Sequence, residues 1–187
     1  MHAFIAAEDA RFMSHHGVDF SEILSSIFEN YRAHRIVRGA STITQQVVRL
    51  AFLDQERSFL RKYREALGAL VLELYLSKEE IFEWYINLAY FGEGHYGLRG
   101  ACDHYFATSP DLLTINQSIY LALLLPSPSK SSHVLLRKKL DQSEKSRFIR
   151  ILKQMHLTGF ITEQERQQSF LTGDFGSPLE LQIDDDL

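Results

Sequence analysis

The sequence has few of the residues that cross-link small proteins or hold them in a membrane. Cys102 is its one cysteine, so neither an internal disulfide nor a cysteine-rich zinc site is available. The longest uninterrupted apolar run covers seven residues (119–125), far short of the ~20 that a membrane-spanning helix needs. The first ten residues include Glu8 and Asp9 and lack the basic start and apolar stretch of a signal peptide.

What is present is the composition of an ordinary globular chain. Of the 187 residues, 45% are apolar and 24% are charged. A chain of this length can bury roughly 70% of the surface that its unfolded form exposes, so one domain with a sizeable core is expected. No alternating strand pattern of useful length occurs, and apolar residues recur at helical spacing instead, which predicts a mainly α fold.

The net charge of −4 conceals an uneven distribution. Residues 1–30 hold one basic side chain and five acidic ones, whereas residues 31–64 hold eight basic and two acidic ones, and seven of those eight are arginine. The planar arginine fork suits phosphate or carboxylate, so this block indicates either an anionic partner or a solvated helix face. The acidic C-terminus, over 171–187, is expected to be a flexible tail.

Capping residues and apolar spacing predict the principal helices. Asp19 is a candidate N-cap for a helix from Phe20, and Ser41 or Thr42 for a second helix. A helix over 56–75 is expected to be long and amphipathic. Its apolar stripe consists of Tyr63, Leu67, Leu70, Val71 and Leu74. A cap motif at Ser77 begins the next helix, and further helices are expected over 111–125 and 143–157.

Two groups of charged residues are candidates for chemistry. Glu8 lies among apolar residues beside Asp9, an environment that raises the proton affinity of a carboxylate as a general acid or base requires; a helix cap or a surface charge is the alternative. Arg57, Arg61 and Arg64 follow one another at helical spacing and would share one face. Glu65 alone is insufficient to balance three cations on that stripe, which favours a phosphate or pyrophosphate ligand.

Two other patterns are better explained without a ligand. The glycine spacing of the loop 92–97 matches that of a dinucleotide-binding glycine turn. The loop follows a helix and not a strand, so an interhelical loop is expected. His15 and His16 are adjacent and lack the i, i+4 spacing of a zinc pair, so no metal site is predicted there.

Four segments, taken in order, resemble the motifs of the peptidoglycan glycosyltransferases, glycosyltransferase family 51. They are Glu8-Asp9-Ala10-Arg11-Phe12, Gly39-Ala40-Ser41-Thr42-Ile43-Thr44-Gln45-Gln46, Arg61-Lys62-Tyr63-Arg64-Glu65-Ala66, and the segment 81–92 that ends in Tyr90-Phe91-Gly92. The family comprises the polymerising domains of bifunctional penicillin-binding proteins and the monofunctional cell-wall transglycosylases. The resemblance continues through Arg99-Gly100-Ala101 into the C-terminal helices, so residues 1–170 are expected to form the glycosyltransferase domain.

The resemblance implies a lysozyme-like, mainly α fold with two lobes beside an extended cleft. In such enzymes the 4-hydroxyl of the acceptor sugar attacks the anomeric carbon of a lipid-linked disaccharide-peptide (lipid II), with inversion, and polyprenyl pyrophosphate leaves. A divalent cation (Mg or Mn) at the donor pyrophosphate is left open, and no protein-held metal is expected.

The resemblance also implies roles for particular residues. Glu8 matches the general base for the acceptor hydroxyl, and Glu65 matches a second essential carboxylate near the donor pyrophosphate. The residues expected to bind substrate or pyrophosphate are Arg11, Ser41, Thr42, Gln46, Arg49, Arg57, Arg61, Lys62 and Arg64.

The expected partners are lipid II, the growing glycan strand and other cell-wall synthesis proteins, at the outer (periplasmic) face of the bacterial cytoplasmic membrane. The segment from Phe20 to Val37 matches the membrane-facing lobe of the family, which would place Phe28, Tyr31, Arg32 and Arg35 at a lipid interface; an ordinary helix packed on the core is the alternative. Family members usually carry a transmembrane anchor before the first motif, so the chain is expected to be a domain without its anchor region.

The sequence departs from the family pattern at three places: Ala107-Thr108 where Gly-Lys is common, Gln117 where Glu is common, and Arg49 where Lys is common. Two other functions remain open, a lysozyme-like lytic enzyme that cleaves glycan and a catalytically weakened scaffold. The lytic enzyme has no use for the arginine stripe. Nucleic-acid binding is not expected, because a domain of net charge −4 lacks the basic footprint.

Overall fold

The structure, a computed structural model, describes residues 1–35, 39–53, 58–177 and 179. Within these residues the chain is mostly helical and has no β-strand, which confirms the mainly α class. It divides into two compact units: unit 1 comprises Met1–Ala10 and Ala89–Leu187, and unit 2 comprises Arg11–Leu88. The expected cleft between two lobes stays a prediction.

The helices follow one another along the chain with short connections. They are α1 (His2–Glu8), α2 (Phe20–Arg32), α3 (Ile43–Phe52), α4 (Phe59–Tyr75), α5 (Lys78–Leu88), α6 (Leu98–Phe106), α7 (Ile115–Leu124), α8 (Pro128–Ser131), α9 (His133–Arg137), α10 (Gln142–Leu157) and α11 (Glu163–Leu171). A 3-10 turn, Pro110–Leu112, precedes α7. None of the helices in the described ranges combines the length and apolarity that crossing a bilayer would take.

The predicted helix starts are confirmed where a side chain caps the helix. The Asp19 carboxylate accepts a hydrogen bond from the Glu22 amide at 3.0 Å and begins α2. Thr42 and Gln45 form a reciprocal capping box at the start of α3, which satisfies two otherwise orphaned backbone donors. The helix expected from residue 111 is wrong at its start, because Thr114 caps α7 and the chain before it forms the 3-10 turn.

Unit 1 is built around α1 and α7. Helix α1 packs against both α7 and α10, burying Phe4 and Ile5. Every residue of α7 from Ile119 to Leu124 is buried, as its continuous apolar sequence predicted. Phe148 and Leu152 complete this core from α10, so the carboxyl end of α1, where Glu8 lies, is held from two sides.

Unit 2 is built around α3, α4 and α5, and the apolar stripe of α4 lies on its outer face. Helix α3 packs on both α4 and α5, and Gly68 of α4 approaches Val48 of α3 so closely that a Cβ at Gly68 would lie 2.7 Å from Val48 Cγ1. The buried residues of α4 are Glu65 and Ala69. All five members of the apolar stripe are exposed: Tyr63, Leu67, Leu70, Val71 and Leu74. The face with small and charged residues meets α3, because only small side chains permit that close approach.

Helix α2 also leaves its apolar face uncovered. Its side chains at i, i+4, i+7, i+8 and i+11 lie on one face, and Ser26 is its one buried residue. The exposed members are Phe20, Leu24, Ile27, Phe28 and Tyr31. The alternative that this face packs on the core of the described chain is therefore wrong.

Two of the departures from the family pattern have local explanations. Ala107 is the C-cap of α6 with φ +50°, in the left-handed region where glycine is the least strained residue. The amide oxygen of Gln117 accepts from the Thr114 amide at 2.9 Å in a second capping box, which is a task that glutamate performs equally well. The substitution at Gln117 therefore keeps the helix start intact.

Gly17 sets the closest backbone approach in unit 2 and generates a stability prediction. It has φ +76°, and a Cβ there would lie 2.7 Å from the Ala69 carbonyl group. We expect Gly17→Ala to lower the free energy of unfolding by about 2–4 kcal/mol, from backbone strain and a clash with main-chain atoms that cannot move aside.

The measurement is urea denaturation with two glycine controls. Gly159→Ala carries a similar φ of +74° with nothing within 4 Å, so it measures the backbone strain alone, and Gly39→Ala has neither the clash nor a positive φ. If Gly17→Ala cost no more than Gly159→Ala, the close approach to α4 would be wrong.

Candidate functional site

The site residues of unit 2 gather around a buried carboxylate, Glu65, in the second turn of α4. Arg61, one turn earlier, forms an ion pair with Glu65 Oε1, and Lys62 Nζ lies 2.8 Å from Oε2. The same ammonium donates a hydrogen bond to Ser41 Oγ at 2.6 Å. These contacts join the Ser-Thr-Ile-Thr-Gln-Gln segment to α4 through one lysine.

Positive charge exceeds negative charge at this cluster. Burial, reinforced by the positive charges of Arg49 and Arg61, lowers the pKa of Lys62. Arg49 is half-buried and Arg64 is exposed, and neither forms an ion pair with any residue in the described ranges. An anion bound here would therefore meet two arginines that no carboxylate in the described part of the chain neutralises.

Only part of the arginine stripe lies within the residues that the structure describes. Helix α4 begins at Phe59, with Ser58 as its N-cap, and not at residue 56. Arg57 lies outside the described residues. Glu65 pairs with one member of the stripe, Arg61, and with Lys62, which is not a member of it.

The other predicted site residues of unit 2 differ in their burial and in their contacts. Thr42 is buried and its hydroxyl donates to the Gly17 carbonyl at 2.6 Å, so its observed contact orders the protein. Gln46 is half-buried in the first turn of α3. Arg11 is 3.4 Å from the buried Asp19 carboxylate, which ties it to the cap of α2. Substrate contacts of these side chains stay predictions.

Glu8, the expected general base, ends α1 in unit 1 and has a partner that the sequence did not indicate. Arg147 Nη2, on α10, lies 3.4 Å from Glu8 Oε1, and its Nη1 donates to the Leu123 carbonyl at 3.3 Å. The expectation from sequence was a carboxylate among apolar walls and a like charge. Arg147 therefore places a cation beside this carboxylate, which the sequence expectation did not include.

Arg147 could have been noticed from the helical pattern of α10. Phe148, Ile151, Leu152 and Met155 form the buried face of that helix. Arg147 lies one turn before Ile151 and thus at the edge of that face, where a charged residue needs a buried partner. Its pairing with a carboxylate 139 residues away has no signal in the local sequence.

The described residues offer few ligands for a divalent cation. The described ranges contain no group of three His, Cys, Asp or Glu side chains placed to hold a metal ion. In unit 2 both carboxylate oxygens of Glu65 are already occupied by Arg61 and Lys62. These residues do not fit a protein-held metal.

Comparison with known proteins identifies the family of the chain. The family model described as Transglycosylase matches residues 1–156, so the chain belongs to the transglycosylase family. Among the similar proteins, the biosynthetic peptidoglycan transglycosylase of Marinomonas sp. is 49% identical over 126 residues, which are 67% of this chain and 56% of that protein.

Two longer proteins match over more of the chain. Penicillin-binding protein 1F of Bacillus subtilis is 38% identical over 87% of this chain and 22% of its own length, and penicillin-binding protein 1A of Aquifex aeolicus is 36% identical over 90% and 23%. The chain thus spans about half the length of the monofunctional relatives it matches and under a quarter of the penicillin-binding proteins.

Proposed function

We propose that the chain polymerises lipid II into glycan strands by inverting glycosyl transfer, with release of polyprenyl pyrophosphate. The observation that carries the proposal is the cationic cluster around Glu65, where Arg49 and Arg64 have no anionic partner in the described part of the chain. A departing pyrophosphate gains negative charge in the transition state, and preorganised cations stabilise that charge more than they stabilise the ground state. Family membership supports the same reaction.

In this mechanism Glu8 takes the proton of the acceptor 4-hydroxyl while that oxygen bonds to the anomeric carbon of the donor. The bond from that carbon to the pyrophosphate oxygen breaks, and the electron pair leaves with the pyrophosphate. Arg147, 3.4 Å from Glu8 Oε1, would hold the carboxylate in place for this step. Inversion needs no covalent sugar intermediate, so Glu65 acts by holding Arg61 and Lys62 and not as a nucleophile.

No step is assigned to a divalent cation. Glu65 is paired with two protein cations, Arg61 and Lys62, and the described ranges hold no group of three side chains placed to bind a metal ion. The charge of the leaving group is assigned to Arg49, Lys62 and Arg64 instead.

The same cluster disfavours the rival functions. A lytic enzyme would also use a glutamate such as Glu8, but it cleaves a neutral sugar leaving group and gains nothing from unpaired arginines. A non-catalytic scaffold has no need to bury a carboxylate between two cations.

We also propose that unit 2 binds the outer surface of the cytoplasmic membrane, where a lipid-linked donor resides. The apolar face of α2 and the apolar stripe of α4 are both exposed, and Arg32 lies over the Phe28 ring at 5.7 Å, at the border between apolar and charged surface. Aromatic and basic side chains together suit an anionic lipid interface.

The proposed reaction predicts the behaviour of Glu8→Gln. The amide keeps the shape of the side chain but cannot accept the hydroxyl proton, so we expect polymer formation from lipid II in detergent to fall by about 10²- to 10⁴-fold. The measurement is the rate of glycan formation, and the matched control is Glu79→Gln, which neutralises an exposed carboxylate on α5. Release of product from preformed glycan, with no polymer from lipid II, would instead identify a lytic enzyme.

The cation cluster predicts a separate effect for Arg64→Ala. Loss of a charge-assisted hydrogen bond to the donor pyrophosphate should weaken donor binding by roughly 10- to 100-fold, and the difference from wild type should shrink as salt is added. Equilibrium binding of lipid II at low and high salt provides the measurement. Arg150→Ala, an exposed arginine on α10, is the control. Unchanged binding by Arg64→Ala would show that α4 carries merely a solvated charge there.

The membrane proposal predicts that Leu24→Ser with Phe28→Ser lowers partition onto anionic phospholipid vesicles by roughly tenfold, since each apolar group inserted contributes about 1 kcal/mol or more. Cosedimentation measures the bound fraction. Leu157→Ser, which replaces an exposed apolar residue on α10 of unit 1, should bind as the wild type does. Equal binding by the double variant would exclude α2 as the contact.

A further inference from the structure

A second buried carboxylate in α4, Glu73, has no part in the proposed transfer reaction. Its side chain is 6% exposed. It lies two turns after Glu65 on the same face of the helix, the face that meets α3. Burying a carboxylate costs several kcal/mol unless partners compensate it, so the partners of Glu73 indicate its purpose.

Those partners come from two other segments of unit 2. Glu73 Oε1 accepts a hydrogen bond from Thr44 Oγ1 at 2.6 Å and another from Lys78 Nζ at 2.7 Å. Thr44 is fully buried in the first turn of α3, and Lys78 is the first residue of α5. The Lys78 ammonium also lies 4.5 Å from the centre of the buried Phe12 ring.

Other charged groups near Glu73 contribute little. His16 Nδ1 is 4.0 Å from Glu73 Oε2, but the His16 side chain is 95% exposed and solvent screens it. The carboxylate is therefore held mainly by one lysine and one threonine hydroxyl.

The Thr44 contact completes a two-sided clamp on the first turn of α3. On one side the Thr42 hydroxyl donates to Gly17, and on the other the Thr44 hydroxyl donates to Glu73. Ser41, which receives the hydrogen bond from Lys62, directly precedes Thr42, the N-cap of this turn, and Gln46 lies in the turn itself. Any rotation of the first turn would move both groups relative to Glu65.

Stability alone does not account for Glu73. Apolar residues of similar size in place of a buried ion pair are often neutral or stabilising, and α3 and α4 already pack closely at Gly68. What an apolar contact cannot supply is direction, whereas a hydrogen bond to Thr44 fixes both the distance and the angle of the turn.

We infer that Glu73 is a positioning residue: through Thr44 it sets the first turn of α3 against α4, and thereby aligns Ser41 and Gln46 with the cation cluster around Glu65. The inference rests on the proposed glycosyl transfer for its functional meaning. Glu73 touches neither substrate nor reacting atoms, so it acts only through the geometry of α3.

The test uses the full chain with three variants. Thr44→Val removes the hydroxyl and leaves the Glu73–Lys78 pair, Glu73→Gln removes the charge, and Thr44→Ser keeps the hydroxyl as the conservative variant. We expect Thr44→Val and Glu73→Gln to lower kcat for polymerisation, per folded molecule, by roughly 10- to 100-fold, because a misplacement of about 1 Å costs that much.

Three further results separate positioning from structural support. The KM for lipid II should change by less than about threefold, Thr44→Ser should retain activity, and the double variant Thr44→Val with Glu73→Gln should be no slower than the slower single variant. Glu79→Gln, which neutralises an exposed carboxylate on the neighbouring helix, is the control. A loss of stability with unchanged kcat per folded molecule in both single variants would overturn the inference.

A readout that needs no activity keeps this result separate from the proposed function. Amide hydrogen exchange at Gln45 and Gln46 should quicken in Thr44→Val and Glu73→Gln while exchange in the middle of α5 is unchanged. If the wild type forms no polymer, the proposed function is wrong, and exchange alone then decides whether Glu73 holds the turn. Unchanged exchange at both amides would show that it does not.

Discussion

The close approach of α3 to α4 is the constraint from which the arrangement of unit 2 follows. At Gly68 there is room for no more than a hydrogen atom against Val48, and at Ala69 the backbone of α4 touches Gly17. A helix face that must lie so close to its neighbours can carry only small side chains or side chains that bond to those neighbours. Glu73 is of the second kind, since it bonds to Thr44 of α3 and Lys78 of α5, whereas Glu65 pairs with Arg61 and Lys62 of its own helix. The large apolar residues of α4 are consequently left on its outer face.

The two carboxylates on that face hold different parts of unit 2. Glu65 holds Arg61 and Lys62 where a phosphate-bearing substrate would meet them, and Glu73 holds the turn that presents Ser41. In unit 1, Glu8 is held comparably by Arg147. Glu73 and Glu8 are stabilised by partners from other segments, whereas Glu65 is paired within its own helix and is linked to the segment before α3 through Lys62 and Ser41.

Local features of this molecule were predictable from sequence and long-range ones were not. The caps at Asp19 and Thr42 were predicted because a cap depends on residues within one turn. The neighbourhood of Glu65 and Lys62 was similarly open to inference, since i, i+3 residues share a helix face. The face of α4 that meets α3 was not predicted, because periodicity shows that a helix has an apolar face and not what covers that face. The pairs Glu8–Arg147 and Thr44–Glu73 join residues 139 and 29 positions apart, and no local pattern encodes them.

The outward apolar face of α4 has a consequence for the colloidal behaviour of the protein. In buffer without detergent, an exposed apolar surface of this kind packs against apolar surfaces of other molecules. Self-association therefore competes with folding as the protein concentration rises. The apparent melting temperature and sedimentation of the chain would then depend on protein concentration and on any amphiphile present, and not on the fold alone. A detergent micelle that covers α4 would therefore be one of the components on which the measured stability depends. A stability measured without detergent would reflect self-association as well as folding.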